Sequence, residues 1–188
     1  NGGRNSMEDL YITGDHQLTA NGDILFTSTS GPHGFVHVGN GGYNIVNVTA
    51  NGNVGVLSRE GDIRFEGGTQ TDNYAQIGNG GMSTSGNGHT GDLTVSAGKS
   101  VPFTSGIAIG AYAKIGNGGL GTNGNHSGNT SVTAATGNIA FSASPGASNN
   151  YVQVGHGGSS AGGDHNGDIN VWAKLDIYFK AGPGDSSH

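Results

Sequence analysis

Three histidines recur at regular spacing in glycine-rich segments and are the first residues of this sequence whose arrangement suits chemistry. His89, His126 and His165 lie 37 and 39 residues apart, and each precedes an Asp or Asn by three residues. Stacked repeats would bring such imidazoles about 5 Å apart, where with a nearby carboxylate they can bind zinc, copper or nickel weakly. Inheritance of polar side chains on exposed loops explains the same pattern without a ligand. We favour that explanation and predict neither a metal site nor a cofactor.

Acidic residues in equivalent positions are the candidates for a general acid and base. Asp92 and Asp168 open equivalent segments, but Asn129 holds the same place in the intervening copy. Cleavage of a polysaccharide needs two or three carboxylates or basic groups that converge on one face, and this alternation breaks such a set. Asp and Asn at the start of a strand are typical of turns. The sequence therefore predicts that the protein is not an enzyme.

A row of aromatic residues offers the best candidate binding surface. Each copy of one recurring segment begins with an aromatic ring and carries a hydrogen-bonding side chain two residues later. Flat rings flanked by polar groups suit sugars, which present apolar C–H faces and many hydroxyls. The predicted ligand-binding residues are Phe35, Tyr74, Tyr112, Tyr151, Gln76, Lys114 and Gln153, with His37 in the same row. The favoured alternative is that these rings only stack on one another and fix the register of the strands.

Self-similarity at a fixed period positions all of these residues. The segments 35–42 (FVHVGNGG), 74–81 (YAQIGNGG), 112–119 (YAKIGNGG) and 151–158 (YVQVGHGG) begin 39, 38 and 39 residues apart. A second segment, 92–97, recurs at 129–134 and 168–173. Five of the six phenylalanines are separated by 39, 38, 38 and 38 residues: Phe26, Phe65, Phe103, Phe141 and Phe179. Such periodicity indicates a solenoid, in which these phenylalanines stack as an internal ladder.

Each recurring segment is expected to form a short strand, because apolar and polar residues alternate between Gly, Asn and Asp. Ala75 and Ile77 would face one side, and Tyr74 and Gln76 the other. Three strands per repeat of 38 to 39 residues predict an all-β, parallel β-solenoid with coils about 4.8 Å apart. The chain is then one solenoid segment, 1–188, with a partial repeat at 1–34 and repeats at 35–73, 74–111, 112–150 and 151–188.

Glycine-rich corners should join these strands. The Gly-Asn-Gly-Gly motif supplies residues that accept a positive φ at a sharp bend. Asn40, Asn79 and Asn117 are expected to form a ladder that His156 continues. The longer connection that follows this corner, between the first and second strands, is expected to bulge outward.

Composition limits the partners of this chain. The net charge is −6 and the seven Lys and Arg residues are scattered, which argues against nucleic acid as a partner. No apolar run reaches the roughly 18 residues of a membrane span, so we predict no membrane insertion. Cysteine is absent, which rules out a disulfide framework. The sequence shows neither a signal-peptide core nor an end cap, and an internal segment of a longer stack is expected.

The motif YAQIGNGG at 74–81, followed by GDLTVSA at 91–97, resembles the repeats of large bacterial filamentous-haemagglutinin-like adhesins and autotransporter passenger domains. The resemblance covers residues 8–182. It implies a right-handed parallel β-helix on the cell exterior, exported by a two-partner or type V route. Repeats in that family are often about half this length, so two smaller coils per repeat are the alternative to one.

The function predicted on this basis is that of a structural or adhesive repeat module in a bacterial cell-surface or extracellular filament protein. Such a module is a stiff shaft or a weak, multivalent binding surface. Its expected partners are host or matrix glycans, or other copies of itself placed end to end. The alternative is a carbohydrate-binding or carbohydrate-active β-helix that resembles polysaccharide lyases and hydrolases.

Overall fold

Strands from successive repeats pair in parallel, one above the other, and the described residues contain no helix. The structure is a computed structural model that describes residues 2–4, 10–28, 31–145, 148–180 and 182. Within them the chain winds through about four coils of an all-β solenoid. The predicted β-solenoid fold is therefore confirmed.

Three sheets surround the main core, and we name them after a residue that recurs in each. The tyrosine sheet contains Phe35–Val38, Tyr74–Ile77, Tyr112–Ile115 and Val152–Val154. The valine sheet contains His16–Ala20, Val54–Ser58, Leu93–Ala97, Thr130–Ala134 and Ile169–Ala173. The phenylalanine sheet contains Ile24–Thr27, Ile63–Glu66, Val101–Thr104, Ile139–Ser142 and Ile177–Lys180. These are the three strands per repeat that the sequence predicts.

Two further sheets lie in the connection that was expected to bulge outward. The glycine sheet contains Gly2–Arg4, Gly41–Tyr43 and Gly80–Met82. The histidine sheet contains Leu10–Thr13, Val48–Asn51, Gly88–Thr90, His126–Ser127 and His165–Asn166. Three strands per repeat is thus an undercount for the described residues, since the coils that begin at Phe35 and Tyr74 each have five.

One repeat makes one coil. Tyr74 pairs with Tyr112 and Phe103 pairs with Phe141, each one repeat further along the chain. Ring centroids of successive phenylalanines lie 4.6 to 5.0 Å apart, which is the spacing of adjacent strands. Two coils per repeat would double that distance, so that alternative is wrong.

The inner core is a thin apolar column between the tyrosine, valine and phenylalanine sheets. It is built from alternate residues of each strand, such as Ala75, Val95 and Phe103, which are almost completely buried. Four phenylalanines of the predicted internal ladder are buried here. Phe179 stacks on Phe141 at 4.8 Å but is 79% exposed, because it lies in the last described coil and only one neighbouring ring covers it.

The connection between the tyrosine and valine sheets folds back over the outer side of the tyrosine sheet, and we call it the cover (39–53, 78–92, 116–129 and 155–168). All four residues of Tyr74–Ile77, and all four of Tyr112–Ile115, are buried as a result. Tyr74 and Tyr112 pack against Met82 and Leu120 of the cover. The predicted outward bulge is wrong, because apolar residues within the connection have a second surface to bury against.

The corners follow the predicted asparagine ladder. The backbone N–H of Asn40 donates to Asn79 Oδ1 at 2.9 Å, and that of Asn79 to Asn117 Oδ1 at 2.8 Å. His156 Nδ1 accepts from the Asn117 N–H at 3.2 Å, and its Nε2–H donates to the Gly128 carbonyl at 2.6 Å. Gly78 turns the same corner with φ of +133°, where an added Cβ would lie 2.2 Å from the Gly116 carbonyl oxygen.

Candidate functional site

The aromatic column is a buried stack rather than a surface. The rings of Phe35, Tyr74, Tyr112 and Tyr151 stack with centroids 4.8 to 5.0 Å apart and interplanar angles of 5° or 6°. Tyr74 and Tyr112 are 0% exposed and Tyr151 is 6% exposed. The predicted stacking is confirmed, whereas the predicted outward exposure is wrong because the cover lies over the rings. The cover shields Tyr74 and Tyr112 from a glycan, whereas Tyr151 and Gln153 border a surface cavity of about 410 Å³ in the last described coil.

The polar side chains of the same strands close the corners of the next coil. His37 Nε2 donates to the Gly78 carbonyl at 2.5 Å, and Gln76 Nε2 donates to the Gly118 carbonyl at 2.7 Å. Lys114 Nζ donates to the Gly155 carbonyl, and Gln153 Oε1 lies 3.4 Å from the same nitrogen. Gln76 and Lys114 are fully buried. These predicted ligand-binding residues therefore make their hydrogen bonds to other groups of the protein itself.

Lys114 is a buried amine whose contacts are a carbonyl and an amide. Removal from water lowers the pKa of Lys114 to about 7. The fully buried polar residues of the described chain include no Asp or Glu. Protonated amines and imidazoles under the cover therefore lack a buried counter-charge.

The three recurring histidines do stack, as a column in the cover. The rings of His89 and His126 lie 4.9 Å apart and those of His126 and His165 lie 5.0 Å apart. His89 and His126 are fully buried, while His165 is exposed. The predicted exposure on loops is therefore wrong for the first two and right for the third.

Hydrogen bonds fix the tautomer of each buried imidazole. The Thr122 hydroxyl donates to the Gly119 carbonyl at 3.0 Å, so its oxygen accepts from His126 Nε2–H at 3.2 Å. His126 Nδ1 is then the acceptor in its 2.9 Å bond with His89 Nδ1–H. His89 Nε2 is left to accept from the Thr84 hydroxyl at 3.3 Å. The result is one directional chain of hydrogen bonds in which every proton is assigned.

Burial makes a positive charge on these two hydrogen-bonded histidines costly. Desolvation, followed by the charge of His37, lowers the pKa of His89 to about 4. Desolvation, followed by the neighbouring His89, lowers the pKa of His126 to about 3. Within the described residues, no group of three or more His, Cys, Asp or Glu is arranged to hold a metal ion.

The Asp and Asn residues that open the valine strands form a second ladder. Asp15 Oδ1 accepts from the Asn53 N–H, Asn53 Oδ1 from Asp92, Asp92 Oδ1 from Asn129, and Asn129 Oδ1 from Asp168, at 2.7 to 3.0 Å. Each side chain holds the start of the next strand. These bonds join successive coils and give each Asp or Asn a structural role at the start of a strand.

A shallow groove crosses the outer side of the valine sheet. It has a volume of about 500 Å³ and lies over Gly55, which stands where the next coil has Thr94. Asn53, Asp92, Ser96 and Leu57 line its edges. In the sequence, the place of this groove is marked only by a lone glycine in a column of Gln17, Thr94, Ser131 and Asn170.

No protein-family model, curated protein or solved structure matches this chain. The part of the chain that the structure describes contains no helix of the length and hydropathy needed to cross a membrane.

Proposed function

We propose that this chain is a stiff structural module of a bacterial cell-surface or extracellular filament protein, with no enzymatic activity. The observation that carries the proposal is the continuity of its ladders. Apolar, aromatic and amide side chains at equivalent positions stack from coil to coil, and buried amides such as Asn79 and Gln76 bond to neighbouring coils. A column tied together in this way resists bending, and its outward side chains are left to contact solvent or partners.

Mechanical unfolding tests this proposal directly. The chain is tethered at both ends and extended in a force spectrometer. We expect resolved force peaks, because each coil is held by its own ladder bonds. Release of one coil of 38 residues lengthens the chain by roughly 130 Å at full extension. Unfolding without a measurable force peak would contradict the role of a stiff structural module.

A second candidate function, glycan binding, is supported by the groove over Gly55. Amide, carboxylate and hydroxyl groups surround an apolar floor there, which is a chemistry that suits sugars. Gly55→Thr fills the groove with the residue of the next coil, and the three atoms nearest to its Cβ would belong to the end of the flexible Gln17 side chain, which must move aside. If the groove binds glycans, an array signal of the wild-type protein disappears in Gly55→Thr. A signal that persists in the variant, or no signal at all, excludes this groove.

A further inference from the structure

The space under the cover is filled in two different ways along the stack. In the coil that begins at Phe35 it contains Ile45 and Ala50, both fully buried. The backbone N–H of Ser85 bonds to the Ile45 carbonyl, and that of Asn123 bonds to the Thr84 carbonyl. This register makes Ile45, Thr84 and Thr122 successive residues of one ladder. Ala50, His89 and His126 are successive residues of another. The next two coils thus replace an apolar pair with a threonine and a histidine.

The titratable groups that face this histidine pair are all bases. Besides the pair itself, His37 acts electrostatically on His89, while His165, Lys114 and His156 act on His126. The buried polar residues of the described chain include no carboxylate that could balance a proton taken up here. A proton added to either imidazole therefore stays uncompensated as long as the cover is closed.

A second proton on His126 also breaks the bond between the two rings. His89 Nδ1–H donates to His126 Nδ1, and this bond needs one nitrogen without a proton. Protonation of His126 at that atom places two N–H groups face to face at 2.9 Å. Protonation of His89 at Nε2 places a proton against the Thr84 hydroxyl proton, so the hydroxyl must rotate and the directional chain is reversed at that end.

We infer that the cover of the coils beginning at Tyr74 and Tyr112 is an acid-sensitive lid, which opens at low pH while the inner core stays folded. Opening returns both imidazoles to water and exposes the tyrosine column beneath them. The inner core has no titratable side chain in its cluster, so acid leaves its packing unchanged. The inference is independent of the proposed shaft function, because it concerns the stability of one layer only.

The direction of the pH effect follows from lowered pKa values. Each buried histidine has a pKa below its ordinary value of 6.5, so the contribution of the pair to the closed cover is fully present above pH 6.5 and is lost as the pH falls toward 4. For His89 alone, this difference favours opening by roughly 100-fold between pH 7 and pH 4. His126 adds a factor of similar size.

Hydrogen exchange measured by mass spectrometry tests the lid, with rates corrected for the effect of pH on intrinsic exchange. Between pH 7 and pH 4 we expect protection of residues 84–90 and 122–127 to fall by roughly 100-fold or more. Protection of the inner strands 93–97 and 130–134 should be retained. Retained protection of the cover, or equal loss in cover and inner core, would overturn the inference.

The first full coil provides the matched control. A protein with Thr84→Ile, His89→Ala, Thr122→Ile and His126→Ala carries the Ile45 and Ala50 pair in three successive coils, and its cover should stay protected at pH 4. His37→Gln, with the residue that the next coil carries at that position, should leave the acid opening in place. If the cover still opens in the fourfold variant, or no longer opens in His37→Gln, the acid response does not come from His89 and His126, and the inference is refuted. Circular dichroism at pH 7 verifies that each variant is folded.

Discussion

Truncation of a single ring in the phenylalanine ladder should destabilise the whole inner core. Phe103 is 1% exposed and lies between Phe65 and Phe141, with ring centroids 4.6 and 5.0 Å away. Phe103→Ala removes a buried ring and both stacking contacts, and the inner core is too thin to refill the cavity. We expect a loss of about 4 kcal/mol in the free energy of unfolding, within the range of roughly 3 to 5 for buried phenylalanine. Phe141→Ala should fall in the same range.

Phe179 is the matched control for this substitution. The ring of Phe179 stacks on Phe141 alone and is 79% exposed. Its removal therefore breaks one stacking contact and takes away almost no buried area. Phe179→Ala should therefore cost about 1 kcal/mol or less. The difference between the two variants measures burial, since both remove the same side chain.

Urea titration measures these losses with two probes. Circular dichroism follows all strands, and the fluorescence of Trp172, the single tryptophan, follows the last described coil. Coincident transitions justify one free energy for each protein. A loss below about 1 kcal/mol for Phe103→Ala, or equal losses for Phe103→Ala and Phe179→Ala, would refute the view that buried ring stacking holds the coils together.

Three further predictions concern the corners and the buried lysine. Asn79→Ala leaves the Asn40 N–H and the Gly52 carbonyl without a partner and removes one of the two donors to the Thr90 carbonyl, so it should cost roughly 2 to 4 kcal/mol in urea. Asn79→His, which copies His156, should recover most of this loss. Gly78→Ala should abolish folding, as judged by circular dichroism, because Gly78 has a positive φ and an added Cβ would lie 2.2 Å from the Gly116 carbonyl oxygen. Gly22→Ala, where an added Cβ has open space around it, should leave stability unchanged. Burial lowers the pKa of Lys114 to about 7, so the contribution of the neutral amine to stability is lost as the pH falls from about 10 to 7. The free energy of unfolding should therefore rise by about 1 kcal/mol per pH unit from pH 7 to 9. Lys114→Gln should remove this rise.

The inner core could be predicted because its signals are repeated at identical spacing. Phe26, Phe65 and Phe103 stack only if one repeat makes one coil, so their even separation predicts both the fold and the ladder. The asparagine corner was predictable for the same reason. Each of these features depends on a residue type that must recur at every level of the stack.

The cover could not be predicted in the same way, because glycine-rich connections are typical of exposed loops. Burial of Tyr74 and Tyr112 depends on contacts with residues further along the chain, and alternation within one strand does not report on them. One signal was available: Tyr43, Met82 and Leu120 recur 39 and 38 residues apart inside the supposed loop. An apolar residue that recurs in a connection indicates a second buried layer. The histidines of the same connection are then expected to be buried as well.

The alternation of the valine-sheet ladder limits how such an array can gain or lose copies. Asp15, Asn53, Asp92, Asn129 and Asp168 place the charges two coils apart, about 10 Å, where salt screens much of their repulsion. Recombination that deletes a coil with Asn53 or Asn129 would set two carboxylates on adjacent strands. In the neighbouring ladder Asp23 and Asp62 do meet in this way, and Arg64 binds Asp62 at 2.5 Å. A rearrangement that keeps Asp and Asn alternating along the valine sheet must therefore gain or lose coils in pairs.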